Sequence, residues 1–348
     1  MRPILPALAF VCIGLMFAPV IGRQQRTQVS IALVPSVSSG STFIAADKGY
    51  FDAAGLDVKI ERIDSLSKAV AFVATNQVQV AQGGIDAGYF NGVAEGLPVV
   101  LALESGSTPL YHKVLVRPEL KDTIKTVADL KGRRVGISSP GSTSVYEIGM
   151  VLAAAGLRIK DIDLKYLAFT QMGAALANGA LDAALEVAPF TDIAIEQKIA
   201  APWIDPEEGY IKQLPLSNVA YVANTEWIKG SPDVARRLFV ALARAGRDYC
   251  QAYHHGPNRA EVVDIMVRNK IVADRDLLDR MDWPARNPDG AFNLDSVDSV
   301  QTFFKQEAII GKTAPREQLV DASFAQAAAK ELGPFALANP SSELEGCR

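Results

Sequence analysis

The stretch from residue 41 to residue 58 reads STFIAADKGYFDAAGLDV and contains a helix end followed directly by a strand. Gly55 suits the left-handed backbone that commonly ends a helix, and the apolar residues around position 58 are typical of a strand. The same order recurs where Ala154-Ala155-Gly156-Leu157 precedes a second β-rich run. These two stretches predict that the chain contains two copies of one β/α plan.

Short β-rich runs alternate with helical periodicity on both sides of these stretches. The first set of predicted strands covers residues 29–33, 57–60, 78–81 and 99–103, and the second set covers 134–138, 163–167 and 181–185. This alternation is typical of βα units that build parallel or mixed sheets. We therefore predict an α/β fold with two lobes, each running strand, helix, strand, helix, strand. A mainly helical C-terminal extension is predicted over residues 231–332.

The chain is expected to pass between the two lobes twice, at residues 103–116 and at residues 215–223. The first lobe then comprises residues 28–110 and 218–348, with the helical extension packed on it. The second lobe comprises residues 111–217. Two crossovers of this kind permit a hinge between the lobes.

Composition and charge restrict the classes of function. A chain of 348 residues holds about two domains at a soft ~150 residues per domain. Its 35 Lys and Arg against 39 Asp and Glu give a net charge of -4 without a basic block. The long-range field that attracts nucleic acid is therefore absent. We expect a folded monomer that does not bind nucleic acid.

Residues 1–22 have the three-part layout of a secretory signal peptide. Arg2 is followed by an apolar run and then by the small residue Gly22. A permanent membrane anchor is the alternative, but the apolar run is short for a span of ~20 residues and contains two prolines. We therefore predict that the protein is exported.

Two cysteines lie outside this N-terminal segment. Cys250 and Cys347 either form a bridge that closes a long loop in an oxidising compartment, or stay apart. In the second case Cys250 is a core residue of a helix and Cys347 is a terminal thiol.

Two groups of residues resemble a known family. Residues 41–51 with 54–58, and residues 128–136 followed by Gly141 and Ser142, are similar to the lobe openings of periplasmic binding proteins of the nitrate/sulfonate/taurine type. That family also includes binders of thiamine-pyrimidine precursors. The resemblance implies the two-lobed type II periplasmic-binding-protein fold, a periplasmic location, a small-molecule ligand, and an ABC permease with its ATPase as partners.

Two hydroxyl-rich turns are the candidate ligand-binding segments. Each turn lies between the first strand and the first helix of its lobe, so its hydroxyls and amides are expected at a helix N-terminus, which favours anions. The predicted contacts are Ser36, Ser39, Ser41 and Thr42 in the first lobe and Gly141, Ser142, Thr143 and Ser144 in the second. The alternative is that Ser41 and Ser142 only cap their helices.

The ends of two equivalent strands add further candidates. Gly83 and Gly84 permit close backbone approach, and Asp86 either contacts ligand or, as we favour, caps the next helix. Glu186 ends an apolar strand, where an unpaired carboxylate is costly. Its partner is either an amino or N–H group of the ligand or a basic residue of a neighbouring helix.

The predicted walls of the cleft contain few cations. Together with Glu186 and the two hydroxyl-rich turns, this predicts a small polar organic ligand with an amino or N–H function, either zwitterionic or heteroaromatic.

The sequence contains no recognisable catalytic motif. Both turns lack cysteine and histidine, and there is no nucleophile elbow, phosphate-binding loop or metal-ligand spacing. We therefore expect a binding protein without cofactor or metal rather than an enzyme. Two alternatives stay open: a pyrimidine-synthase-like or desulfinase-like enzyme on the same fold, and a sensory receptor.

Overall fold

The computed structural model describes residues 26–63 and 65–348, and the predicted signal peptide lies outside these ranges. The strands are β1 (Thr27–Leu33), β2 (Leu56–Arg62), β3 (Val80–Gly84), β4 (Val99–Ser107), β5 (Lys113–Val116), β6 (Arg134–Ile137), β7 (Asp163–Tyr166), β8 (Ala183–Glu186), β9 (Ala201–Ile204) and β10 (Ser217–Asn224). They form two five-stranded sheets with the orders β2-β1-β3-β10-β4 and β7-β6-β8-β5-β9.

Helices cover these sheets. They are α1 (Gly40–Asp47), α2 (Tyr50–Ala53), α3 (Leu66–Ala74), α4 (Ala87–Ala94), α5 (Thr143–Ala153), α6 (Phe169–Ala177), α7 (Phe190–Glu196), α8 (Thr225–Gly230), α9 (Pro232–Tyr253), α10 (Arg259–Arg268), α11 (Arg275–Arg280), α12 (Leu294–Gln306), α13 (Arg316–Leu319) and α14 (Ser323–Leu332). Across the described ranges, none of them combines the length and the apolar character needed to traverse a bilayer.

The repeated plan predicted from the sequence is confirmed. In the first sheet β1 lies parallel to both β2 and β3, and in the second sheet β6 lies parallel to both β7 and β8. Gly55 and Gly156 precede the equivalent strands β2 and β7 and share a φ of 69°. Each lobe therefore presents the carboxyl ends of parallel strands at one edge, where α/β sheets bind ligands.

The chain crosses between the sheets at two places in the described residues. Residues 108–112 lead from β4 to β5, inside the first predicted crossover, and residues 205–216 lead from β9 back to β10. The predicted second crossover, 215–223, is wrong for most of its length. From Ser217 onward the chain forms a buried strand that pairs antiparallel with both β3 and β4. The lobe limits themselves stay a prediction.

The helical extension packs on the first lobe, as predicted. The long helix α9 buries an apolar face that includes Leu238, Phe239 and Leu242, and it lies against α1 and α14. Cys250 of α9 is bonded to Cys347, 97 residues later in the chain. Of the two alternatives for these cysteines, the structure contains the bridge, which ties the C-terminal tail to α9.

One helix of the extension also reaches the second lobe. Helix α12 contacts α4 and β10 on one side and α5 on the other. The Phe303 ring of α12 meets the Tyr146 ring edge-on, with centroids 5.5 Å apart. It also lies where a side chain at Gly149 of α5 would stand. The extension therefore connects both lobes in addition to covering the first.

Candidate functional site

A cavity of about 440 Å³ lies between the two lobes, at the carboxyl ends of their central strands. Its polar lining residues are Ser36, Ser38, Ser65, Lys68 and Asp86 from the first lobe, Ser138, Ser139, Ser142, Thr143 and Ser144 from the second, and His112 and Asn218 beside the crossovers. Cavities of roughly 300 to 1,000 Å³ are typical of sites for small organic molecules. The two predicted hydroxyl-rich turns therefore border one cavity.

The two lobes touch directly beside this cavity. The Thr143 hydroxyl donates to the Ile85 carbonyl oxygen at 3.0 Å, and the Ala87 amide donates to the Gly141 carbonyl oxygen at 2.8 Å. Gly141 has a φ of 69°, and a Cβ there would stand 2.5 Å from the Cβ of Ala87. The second-lobe turn therefore needs glycine at this point, where the two lobes are in direct contact.

Ser36 and Ser39 hold the shape of the first-lobe turn. Ser36 lines the cavity, and its backbone amide donates to the Ser39 hydroxyl oxygen at 3.1 Å. The Ser39 hydroxyl donates in turn to the Ser36 carbonyl oxygen at 2.7 Å. Ser39 is fully buried within the turn, so of these two residues only Ser36 faces the cavity.

Ser41 and Thr42 are buried and do not line this cavity. Their hydroxyl oxygens are 3.1 Å and 2.7 Å from the Tyr221 hydroxyl, and Arg286 Nη1 donates to Ser41 Oγ at 2.9 Å. The two contacts with Tyr221 join α1 to β10. The structure gives both residues a bracing position, and a ligand contact for either stays a prediction.

The strand-end candidates of the first lobe line the cavity. Gly83 and Gly84 do so with their backbone, and a Cβ at Gly83 would meet the Leu66 side chain at 3.0 Å. Asp86 is the N-cap of α4 and accepts from the Tyr89 amide at 3.0 Å. Burial raises the pKa of the Asp86 carboxyl, although the hydrogen bonds that it accepts lower it. The capping role favoured for Asp86 is confirmed.

The second-lobe turn brings Ser142, Thr143 and Ser144 to the cavity. Ser142 is the N-cap residue of α5, but its hydroxyl makes no capping hydrogen bond. That hydroxyl oxygen is buried and has no hydrogen-bond partner within residues 26–63 and 65–348. It is therefore available to a molecule in the cavity.

Glu186 ends β8 at the margin of the cavity. The next two residues, Val187 and Ala188, line the cavity wall, whereas the Glu186 side chain is fully buried. Neither of its carboxyl oxygens has a hydrogen-bond partner in the described part of the chain. Burial raises the pKa of this carboxyl to about 8. The basic partner considered from the sequence is not found there.

His112 was missed by the sequence reasoning. It lies on the first crossover and lines the cavity, with Nδ1 3.0 Å and 3.2 Å from the two carboxyl oxygens of Glu147. Burial lowers the pKa of His112, but the charge and hydrogen bond of the buried Glu147, together with the charges of Glu207 and Asp205, raise it by more. His112 and Lys68 place two basic side chains on walls that we expected to be poor in cations.

Another acidic residue, Glu207, links the two crossovers beside His112. Glu207 of the second crossover accepts from the Leu110 amide of the first at 2.6 Å. Burial raises the pKa of Glu207 to about 7, although the charge of His112 lowers it. The hinge region therefore holds His112 among several carboxyl groups.

Comparison with known sequences gives a family match. The family model described as NMT1/THI5 like matches residues 38–255, which is more than half of the chain. A putative thiamine biosynthesis protein of Haemophilus influenzae is 27% identical over 188 residues, which cover 53% of this chain and 57% of that protein. The chain spans about half the length of the curated relatives it matches, between 43% and 61%.

Solved structures share the fold. The alkanesulfonate-binding protein SsuA from Xanthomonas axonopodis pv. citri, bound to MOPS, has a TM-score of 0.66 at 16% identity, covering 86% of this chain and 98% of that one. The desulfurization enzyme DSZB has a TM-score of 0.57 at 17% identity, covering 88% and 100%. The predicted two-lobed periplasmic-binding-protein fold is therefore confirmed, and at these identities the likeness extends to the fold alone.

Proposed function

Because the chain belongs to the NMT1/THI5-like family, we propose that it is an extracytoplasmic solute-binding protein of an ABC importer. It captures a small polar organic ligand between its lobes and delivers it to a membrane permease driven by an ATPase. The cavity of about 440 Å³ that both lobes line is the observation that carries this proposal. A ligand favours closure only to the extent that it contacts both lobes better when they are shut.

Glu186 supports the proposed class of ligand, a small polar molecule with an amino or N–H function. A buried carboxyl without a hydrogen bond costs free energy, and an amino or N–H group of a ligand that donates to it would offset that cost. The buried hydroxyl of Ser142 offers a second unpaired group beside the same cavity. A ligand with an N–H donor and a further polar group fits both residues.

The disulfide supports the proposed location. A bridge such as that between Cys250 and Cys347 forms and persists in oxidising compartments such as the bacterial periplasm. Together with the signal peptide predicted over residues 1–22, it favours a periplasmic protein. We propose that the protein acts there as a monomer.

An enzyme on the same fold is the second candidate, and the His112–Glu147 pair favours it. A histidine held by a buried carboxylate at a cavity is an arrangement that general bases use. A thiol nucleophile is not offered by the described residues, since both of their cysteines are joined to each other. Recovery of a chemically altered ligand would favour the enzyme.

Thermal-shift screening of sulfonates, carboxylates, amines and pyrimidines tests the proposal. We expect at least one compound to raise the melting temperature and to be recovered unchanged by mass spectrometry. Gly84→Leu projects a side chain toward Thr143 inside the cavity and should abolish the shift. Gly173→Leu is the matched control, because nothing lies within 4 Å of a Cβ there. Equal shifts in both variants would contradict binding in the cleft.

A further inference from the structure

The His112 ring is fixed so that one nitrogen is left for the cavity. Nδ1 is held by Glu147, a fully buried residue of α5. The other nitrogen, Nε2, makes no hydrogen bond with the described residues, and the side chain of His112, which is 12% exposed, lines the cavity. Because Glu147 anchors the opposite side of the ring, Nε2 is the atom presented to a bound molecule.

We propose that His112 contacts the ligand through Nε2 and pairs there with an anionic oxygen. This inference rests on the proposed function and narrows its ligand class. Glu186 favours an N–H donor at one end of the ligand, and His112 favours a carboxylate, sulfonate or similar group at the other. The ligand is therefore a zwitterion, and Glu147 is a positioning residue that acts through His112.

The surrounding charges favour the protonated ring. Glu147 of α5 and the Asp205 and Glu207 carboxyls of the second crossover all act to raise the His112 pKa. With Nδ1 donating to Glu147, a protonated ring offers an N–H at Nε2, whereas a neutral ring offers a lone pair that repels an anionic oxygen. Asp86 and Lys68 are the other ionisable side chains that line the same cavity. Anion affinity at this point should therefore fall as the pH rises through the His112 titration.

The test uses four small probes that separate the two ends of the ligand. β-Alanine and 3-aminopropanesulfonate carry both an ammonium and an anionic oxygen, propionate carries only the anion, and propylamine carries only the ammonium. The chain has three histidines, so the ring-proton signal of His112 is followed by NMR through a pH titration of the wild type. Both zwitterions and propionate should raise its titration midpoint, and propylamine should not.

Affinity measurements on variants complete the test. His112→Gln should weaken binding of the zwitterions by about tenfold or more below the His112 midpoint, since a hydrogen bond to a charged group is lost. Glu147→Gln should lower the titration midpoint of His112 even without a probe, because the negative charge beside the ring is removed. His255→Gln, at an exposed histidine, is the control and should change neither quantity.

Each outcome separates this inference from the function on which it rests. Equal affinity of a zwitterion for wild type and His112→Gln would overturn the His112 contact while leaving a ligand-binding cleft. If no anionic probe moves the His112 midpoint, the contact is overturned without reference to any variant. If, in addition, no probe raises the melting temperature, the proposal that the ligand is a zwitterion is overturned as well.

Discussion

Replacement of Glu186 by glutamine should change how stability depends on pH. In the wild type this carboxyl is fully buried, and burial raises its pKa from 4.5 to about 8. The folded protein therefore binds this proton more tightly than the unfolded chain does. The contribution of this carboxyl to the free energy of unfolding therefore falls as the pH rises from about 4.5, and it levels off above about 8. Below that window the carboxyl is neutral in both states and imposes no penalty.

The size of the effect follows from the pKa difference. A difference of one pH unit corresponds to about 1.36 kcal/mol. Burial of the ionisable group therefore lowers the free energy of unfolding by about 3 kcal/mol at neutral pH and by about 5 kcal/mol above pH 8. Glutamine keeps the shape but does not titrate. Its unpaired amide lowers the free energy of unfolding by about 1 to 3 kcal/mol at every pH. The test is therefore how the free energy of unfolding changes with pH, not its value at one pH.

Urea unfolding of the ligand-free proteins at about pH 5, 7 and 9 measures this difference. Glu104→Gln is the matched control, because burial also raises the pKa of Glu104 to about 8 and this residue does not line the large cavity. Both variants should flatten the dependence of stability on pH. Only Glu186→Gln should also reduce thermal shifts produced by amines. Parallel stability curves for wild type and Glu186→Gln would refute the reasoning.

Three further changes test the disulfide, the contact between the lobes and the packing of α12. Cys250→Ser removes the bridge to Cys347, which closes a loop of 97 residues, and should lower the free energy of unfolding in urea by about 2 to 4 kcal/mol; no loss would contradict a formed disulfide. Gly141→Ala sets a Cβ against Ala87 and should increase the radius of gyration in X-ray scattering, whereas an unchanged radius would mean that this contact does not limit closure. Phe303→Ala should lower the free energy of unfolding in urea by about 3 to 5 kcal/mol, and a negligible decrease would contradict the packing of this ring between α5 and α12.

The repeated part of the fold is readable from the sequence because its signals are local. Gly55 and Gly156 mark helix ends at the same place in each copy, and the strands that follow pair with near neighbours in the chain. Strand β10 has no such signal. Its partners β3 and β4 lie more than a hundred residues earlier, so its sequence SNVAYVAN resembles an extended connection. The contact of α12 with α5 escapes prediction for the same reason.

The site is predictable where position in a βα unit decides it. Ser36 and the hydroxyl-bearing residues of the turn at 138–144 reach the cavity because turns after central strands open at the carboxyl edge of a sheet, whereas Gly141 does not line it. Ser41 and Thr42 belong to the same segment, but their hydroxyls turn toward Tyr221, about 180 positions away. His112 lacks a pattern altogether, since it lies on a crossover and its partner is 35 residues distant.

Four of the residues with unpaired buried atoms fall into two pairs that differ in what can satisfy them. Glu104 and Arg286 each have an unpaired atom and border a cavity of about 10 Å³, which holds about one water molecule. Ser142 and Glu186 have unpaired atoms at a cavity of about 440 Å³, with Ser142 on its wall and Glu186 next to it. The first cavity is too small for an organic solute, so nothing larger than water can satisfy the groups that border it. The second pair can be satisfied by a solute that spans the cleft, so its cost is relieved by binding, and this relief favours ligand capture by the closed form.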